Sequence, residues 1–285
     1  MKFGIGSFGD QIKKFVFDER SFYSLENVPY SIIELLQGKY EINYDQKIEA
    51  PDYFLPPLGN VGQIRDFYAF EEHVMNSRKT RGLQMLKEWY EIPVYYYTSN
   101  SSLYGSGMGV PYPKFTRKLD LEIEIGFIIG KDGRNIDEKD AMDYICGITL
   151  MNDWSARDFW IPESKLNLGP SKSKDFATSI GPYITPIGDI ANLYNGKSFD
   201  IRVRSEINGE PFSDSNLKDI YWPISKLVSY ASLESNLRKG DILMTGTLPG
   251  GSKFERQVDD GDWIKKGDKV EIVSEELGKL QNEVI

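Results

Sequence analysis

Residues 119–125, Leu-Asp-Leu-Glu-Ile-Glu-Ile, alternate strictly between apolar and acidic positions, which is the two-residue period of a β-strand. The pattern predicts a strand over 119–129 with Asp120, Glu122 and Glu124 on one face. Beyond it, Gly126, Phe127, Ile128 and Ile129 are apolar on both faces, so this strand runs into the interior. Shorter runs predict strands at 3–8, 14–17, 94–98, 144–151, 183–186, 200–207, 241–245 and 269–273. Residues 31–38 read as a helix with a serine cap and a closing glycine. Further helices are expected at 66–79, 81–90, 137–144 and 224–231, and a Gly/Ser/Pro-rich loop at 99–113. Strands outnumber helices, and the connections are too irregular for repeating βα units. The fold class is therefore mixed α/β and rich in β. The prolines Pro51, Pro56 and Pro57 mark a boundary, giving a small N-terminal α+β domain over 1–60 and a larger domain over 61–285.

Composition narrows the function classes. The 285 residues are 40% hydrophobic and 13% aromatic, enough to pack an interior without disulfides. Lys plus Arg total 34 against 43 Asp plus Glu, a formal charge of −9. That balance argues against nucleic acid as a partner, which calls for a basic face. No run is long enough to span a bilayer, and no basic segment followed by a long apolar run opens the sequence, so we expect a cytoplasmic protein. The single cysteine, Cys146, lies in an apolar run and reads as a buried small hydrophobe.

The acidic strand face changes the picture. Glutamates are poor strand formers, and like charges at i and i+2 are mildly costly unless something neutralises them. Taken alone, Glu122 and Glu124 would be the polar face of a half-exposed strand. Asp153, however, follows another core strand at the mouth of a loop, a place where function concentrates; its alternative is a helix cap. Carboxylates converging in a partly buried site call for a hard divalent cation, Mg2+, Mn2+ or Ca2+. Zinc is disfavoured, because the chain has one Cys and one His.

Residues 118–124, Lys-Leu-Asp-Leu-Glu-Ile-Glu, together with 151–158, Met-Asn-Asp-Trp-Ser-Ala-Arg-Asp, resemble the fumarylacetoacetate hydrolase superfamily over about residues 61–285. Other matching pieces are Asp66-Phe67-Tyr68 with His73, residues 174–181, and residues 241–247. The resemblance implies a β-roll catalytic domain, a homodimer or higher homo-oligomer, Mg2+ or Mn2+ (or Ca2+) as cofactor, and a small 2-oxo or β-diketo acid as substrate. Glu122, Glu124 and Asp153 match the family's metal ligands, and Asp66 a fourth ligand, its alternative being an N-cap. His73 matches the general base. Lys174 matches a lysine that stabilises negative charge beside the metal, with Lys172 the neighbouring choice of register. Arg157 matches a substrate-facing arginine, or else it pairs with Asp158 or another nearby carboxylate. Tyr68 and Tyr96 match substrate-facing tyrosines, although 17 tyrosines make core packing the competing role. Gly246 and Thr247 match a pair that meets the substrate carboxylate, or else they form a strand-ending turn.

The match breaks where the histidine's partner is expected. Residues 248–260 diverge, leaving Glu255, Glu71 and Glu72 as candidates, and Trp160 and Lys165 stand where the family has a glutamine and a tyrosine. The resemblance implies hydrolytic C–C cleavage of a β-diketo acid. Dehydration of a 2-keto-3-deoxy sugar acid, isomerisation or decarboxylation would use the same residues. A non-catalytic protein stabilised by its metal is the alternative from another class.

Overall fold

A computed structural model describes residues 1–18, 20–26, 28–38, 46–259 and 261–285. The strand Ile123–Ile129 is its structural centre. It pairs antiparallel with Ile145–Asp153 on one side and with Ile242–Met244 on the other. Ile64–Phe67 adds parallel to Ile242–Met244, and Tyr95–Thr98 closes that edge. On the far side of Ile145–Asp153 come Thr178–Pro186, Lys2–Phe8, Gln11–Asp18, Ser21–Ser24 and Lys47–Ile48. A five-stranded sheet runs Glu210–Asn216, Arg202–Ile207, Lys269–Ser274, Gly278–Val284 and Gly109–Val110.

Period-two alternation decides what each face of the central strand meets. Ile123, Ile125, Phe127 and Ile129 enter the larger apolar cluster, with Phe199, Leu227 and Ile272. Ile128 points the other way, into a second cluster with Met151, Ile180 and Met244. That second cluster is completed by Phe3, Val16, Ile32 and Leu36, so the first part of the chain covers the sheet's second face. Burying each such side chain contributes about 1.5–3 kcal/mol. The short helix Ile32–Leu36 carries the expected Ser31 cap as a full capping box with Glu34.

Four expectations are corrected. The strand over 119–129 is broken: Leu119–Asp120 pairs with Ser155–Ala156 in a separate two-stranded sheet, and the central strand starts at Ile123. Asp120 Oδ1 accepts the Leu121 N–H at 2.8 Å, and such local bonding competes with a ladder. The helix over 66–79 begins only at Glu71, and Asp66 lies on the buried strand Ile64–Phe67, so Asp66 is not an N-cap. The helix over 81–90 is reduced to the 3-10 turn Lys87–Tyr90, because Gly82, at φ +70°, ends the preceding helix. The loop 99–113 holds two short strands, Leu103–Tyr104 and Gly109–Val110. Cys146 is buried, and burial pushes its thiol up to about 12. Among the described residues, no helix is long and apolar enough to cross a membrane.

Candidate functional site

The sheet delivers its acidic residues to one end. Asp153 closes Ile145–Asp153, and its N–H donates to the Glu122 carbonyl at 2.9 Å. Glu124 lies opposite Met151. Asp66 lies directly across the ladder from Tyr96. Oxygens of Asp66, Glu124 and Asp153 come within 4.8 Å of one another, all three residues being buried. The Tyr96 hydroxyl sits between two of them, donating at 2.7 Å to Asp66 and 2.5 Å to Asp153. Gly246 N–H and the Thr247 hydroxyl approach Glu124 at 3.1 and 3.5 Å. Gly246 has φ +79°, and a Cβ there would stand 2.3 Å from the Phe67 carbonyl oxygen. The close approach of this turn to the Asp66 strand therefore requires glycine.

Glu122 occupies the break before the central strand and has different company. Its Oε1 accepts Arg157 Nη2 at 2.7 Å, and its Oε2 accepts the Lys174 ammonium. Lys174 also donates to Asp153 Oδ2 at 2.6 Å. Of the two neighbouring lysines, Lys174 is buried, while Lys172 is exposed and pairs with Asp175. Arg157 bridges Asp120 and Glu122. Asp158 instead accepts the Thr116 hydroxyl and the Arg117 N–H.

Charge separates the carboxylates into two kinds. Burial would raise Glu122, but Lys174 and Arg157 outweigh it and hold this group well below the usual carboxylate range. Burial, then Asp66, Glu122 and Asp153, raise Glu124 well above that range. Burial and Asp153 raise Asp66 to about 7. Burial also raises Asp153, although Lys174 opposes it. Asp66 Oδ1 and Asp153 Oδ1 are buried with no hydrogen-bond partner among the described residues. Two orphaned oxygens beside a third carboxylate, in a site whose own charges resist ionisation, fit a hard divalent cation that takes oxygen ligands.

His73 stands on the first turn of Glu71–Thr80, is buried, and uses Nδ1 to pair with Glu255 Oε1. Of the three candidate partners, only Glu255 reaches it: Glu71 accepts the Tyr90 hydroxyl at 2.6 Å, and Glu72 is exposed. Glu255 Oε2 also accepts the Gly250 N–H at 2.9 Å. The Tyr68 ring meets the His73 ring edge-on at 5.3 Å. A cavity of about 280 Å3 is lined by His73, Tyr68, Asp66, Glu124, Lys174 and Thr247 among others, so nearly all the residues read from the sequence share one space. The sequence reading missed Arg78 and Arg81 on the same lining. No helical spacing marks them: Arg78 is five residues beyond His73, and Arg81 is the residue that caps the helix.

Comparison with known proteins agrees with this architecture. The model of the fumarylacetoacetate (FAA) hydrolase C-terminal region matches residues 63–285. A mitochondrial oxaloacetate tautomerase, fahd2 of Xenopus laevis, is 31% identical over 193 residues, covering 68% of this chain and 58% of that protein; the chain thus spans less than two thirds of this relative. A probable 2-hydroxyhepta-2,4-diene-1,7-dioate isomerase from Mycobacterium abscessus superposes with a TM-score of 0.74 at 26% identity, over 100% of this chain and 98% of that one. The fumarylpyruvate hydrolase of Pseudomonas aeruginosa, solved with Mn2+ and pyruvate, shares the fold with a TM-score of 0.65 at 22% identity, covering 84% of this chain and 94% of that one. With the family model covering most of its length, the chain belongs to the fumarylacetoacetate hydrolase family.

Proposed function

We propose that the protein is a divalent-metal-dependent enzyme that hydrolyses a C–C bond in a β-diketo acid. The observation that carries this reading is one cavity lined both by His73, whose Nδ1 is held by Glu255, and by Asp66 and Glu124, which cluster with Asp153 and its unpartnered oxygen. Asp66, Glu124 and Asp153 would hold the ion, Mg2+ or Mn2+, with Glu122 adjoining. The ion would supply Lewis acidity and a fixed positive charge where negative charge develops.

The chain's own groups do the rest. Glu255 engages His73 Nδ1 and so leaves Nε2 as the nitrogen that can take a proton from water. The hydroxide adds to the carbonyl carbon remote from the carboxylate, and the C–C bond breaks. Its electron pair leaves with the 2-oxo acid fragment, which takes the proton back from the imidazolium. Lys174, buried between Glu122 and Asp153, supplies preorganised positive charge beside the reacting group. Arg157 is engaged at Nε and Nη2 by Asp120 and Glu122, which suits it to hold Glu122 in place. The lining guanidiniums of Arg78 and Arg81, the latter over the Trp160 ring, suit a substrate whose far end is also anionic.

Keto–enol tautomerisation of a 2-oxo diacid is the second reading, favoured by the tautomerase relative; there His73 would take the proton from carbon. A screen with Mg2+ or Mn2+ against acylpyruvates, fumarylacetoacetate and oxaloacetate separates the two, because hydrolysis releases two acids and tautomerisation none. A His73→Ala protein that binds metal normally and keeps full turnover sinks both.

A further inference from the structure

Asp120 reads from the sequence as a third acid of the metal-facing row, yet it faces elsewhere. It is fully buried, and its two oxygens accept four hydrogen bonds. Oδ1 takes Leu121 N at 2.8 Å and Lys253 N at 2.9 Å. Oδ2 takes Phe254 N at 3.0 Å and Arg157 Nε at 2.8 Å. This carboxylate has no free acceptor with which to serve a ligand. What it does hold is informative. Lys253 and Phe254 lead into the turn Phe254–Arg256, whose middle residue is Glu255, the partner of His73. Arg157 carries the same connection on to Glu122. The Phe254 ring packs against both Arg157, at 5.0 Å, and Trp160, at 5.3 Å.

We propose that Asp120 is a positioning residue, a buried strut that sets Glu255 against His73 on one side and Arg157 against Glu122 on the other. An isolated one-turn helix has little stability of its own, so the two amide bonds from Asp120 fix where Glu255 sits. A charged acceptor makes these bonds short and directional. The inference rests on the reading of His73 as the base, but its test does not.

His73 is the only histidine in the chain, so protein labelled with 15N-histidine and loaded with Mg2+ reports on one ring. In the wild type, the Nδ1 proton bonded to a carboxylate should resonate far downfield, and Glu255→Gln should abolish that signal. Asp120→Asn should move it upfield or broaden it while overall folding is retained. Asp120→Ser keeps one short acceptor near the Lys253 and Phe254 amides but removes the charge and the second oxygen. It should displace the signal in the same direction. Folded Asp120→Asn protein with the wild-type resonance overturns the proposal. Should Asp120→Asn fail to fold, Asp120→Ser decides alone: a displaced signal supports the strut, and a wild-type signal overturns it. The histidine reading fails separately, if His73→Ala keeps its turnover.

Discussion

Removing the divalent ion should turn the carboxylate cluster into a pH-dependent fault in the fold. Oxygens of Asp66, Glu124 and Asp153 lie within 4.8 Å of one another. At an effective dielectric of about 20, each ionised pair at that separation repels by about 3.5 kcal/mol. Lys174 relieves Asp153 but does not bond Asp66 or Glu124. The raising of Asp66 from 3.8 to about 7 corresponds to an energy on the order of 4 kcal/mol. The sign follows from which state holds the proton. Between pH 4 and 7, roughly, Asp66 in the folded metal-free protein binds more protons than in the unfolded chain, so the stability it contributes falls as pH rises through that window. A divalent ion replaces the protons, so the stabilisation it confers should grow over the same window. Thermal melts with Mg2+ and with chelator should diverge by several degrees more at pH 8 than at pH 5.5, at about 2 °C per kcal/mol. Calorimetry at pH 6 in buffers of different ionisation enthalpy should show about one proton or more released per ion bound. Equal Mg2+ affinity at pH 5.5 and 8, with no proton release, would refute the placement of the ion among these three residues.

Three further outcomes are expected. Glu255→Gln should lower kcat by about 10- to 150-fold, the worth of a charge-assisted hydrogen bond, with metal affinity by calorimetry unchanged because Glu255 does not touch the cluster. Lys174→Met leaves Glu122 and Asp153 without their shared cation and should cost about 3–5 kcal/mol in the metal-free protein, part of it recovered on adding Mg2+; a denaturant titration with and without the ion measures both. Gly246→Ala places a Cβ against the Phe67 carbonyl at a left-handed φ and should cost at least about 1–3 kcal/mol, with weakened Mg2+ binding as the strands at Asp66 and Glu124 part.

Much of the site was legible because it rides on strands. The alternation set Glu122 and Glu124 on one face and put Asp153 at the end of a core strand, while the resemblance implied that the three come together. The same alternation misled at Asp120, since one side-chain bond to the next amide turns the chain out of the ladder. The helix-cap alternative for Asp66 stayed open because a four-residue strand buried on both faces has no period to read. Glu255 could not be chosen among three glutamates: it reaches His73 from 182 positions away on a turn with no repeating pattern. Local pattern carries elements, whereas a pairing across that separation exists only once the sheet has brought its strand ends together.

Asp66, Glu124 and Asp153 stand on strands, while part of the surrounding wall comes from the helix Arg157–Lys165, from Gly169 and Pro170, and from Ser77, Arg78 and Arg81 beyond His73. On the function proposed above, the groups that would hold the ion and much of the wall that would meet the substrate thus belong to different elements. Substitutions in those walls would then re-aim the site toward a new acid without dislodging the ion, whereas a change in the strands would forfeit both. A family with this layout is free to diversify in what it acts upon while conserving how it acts.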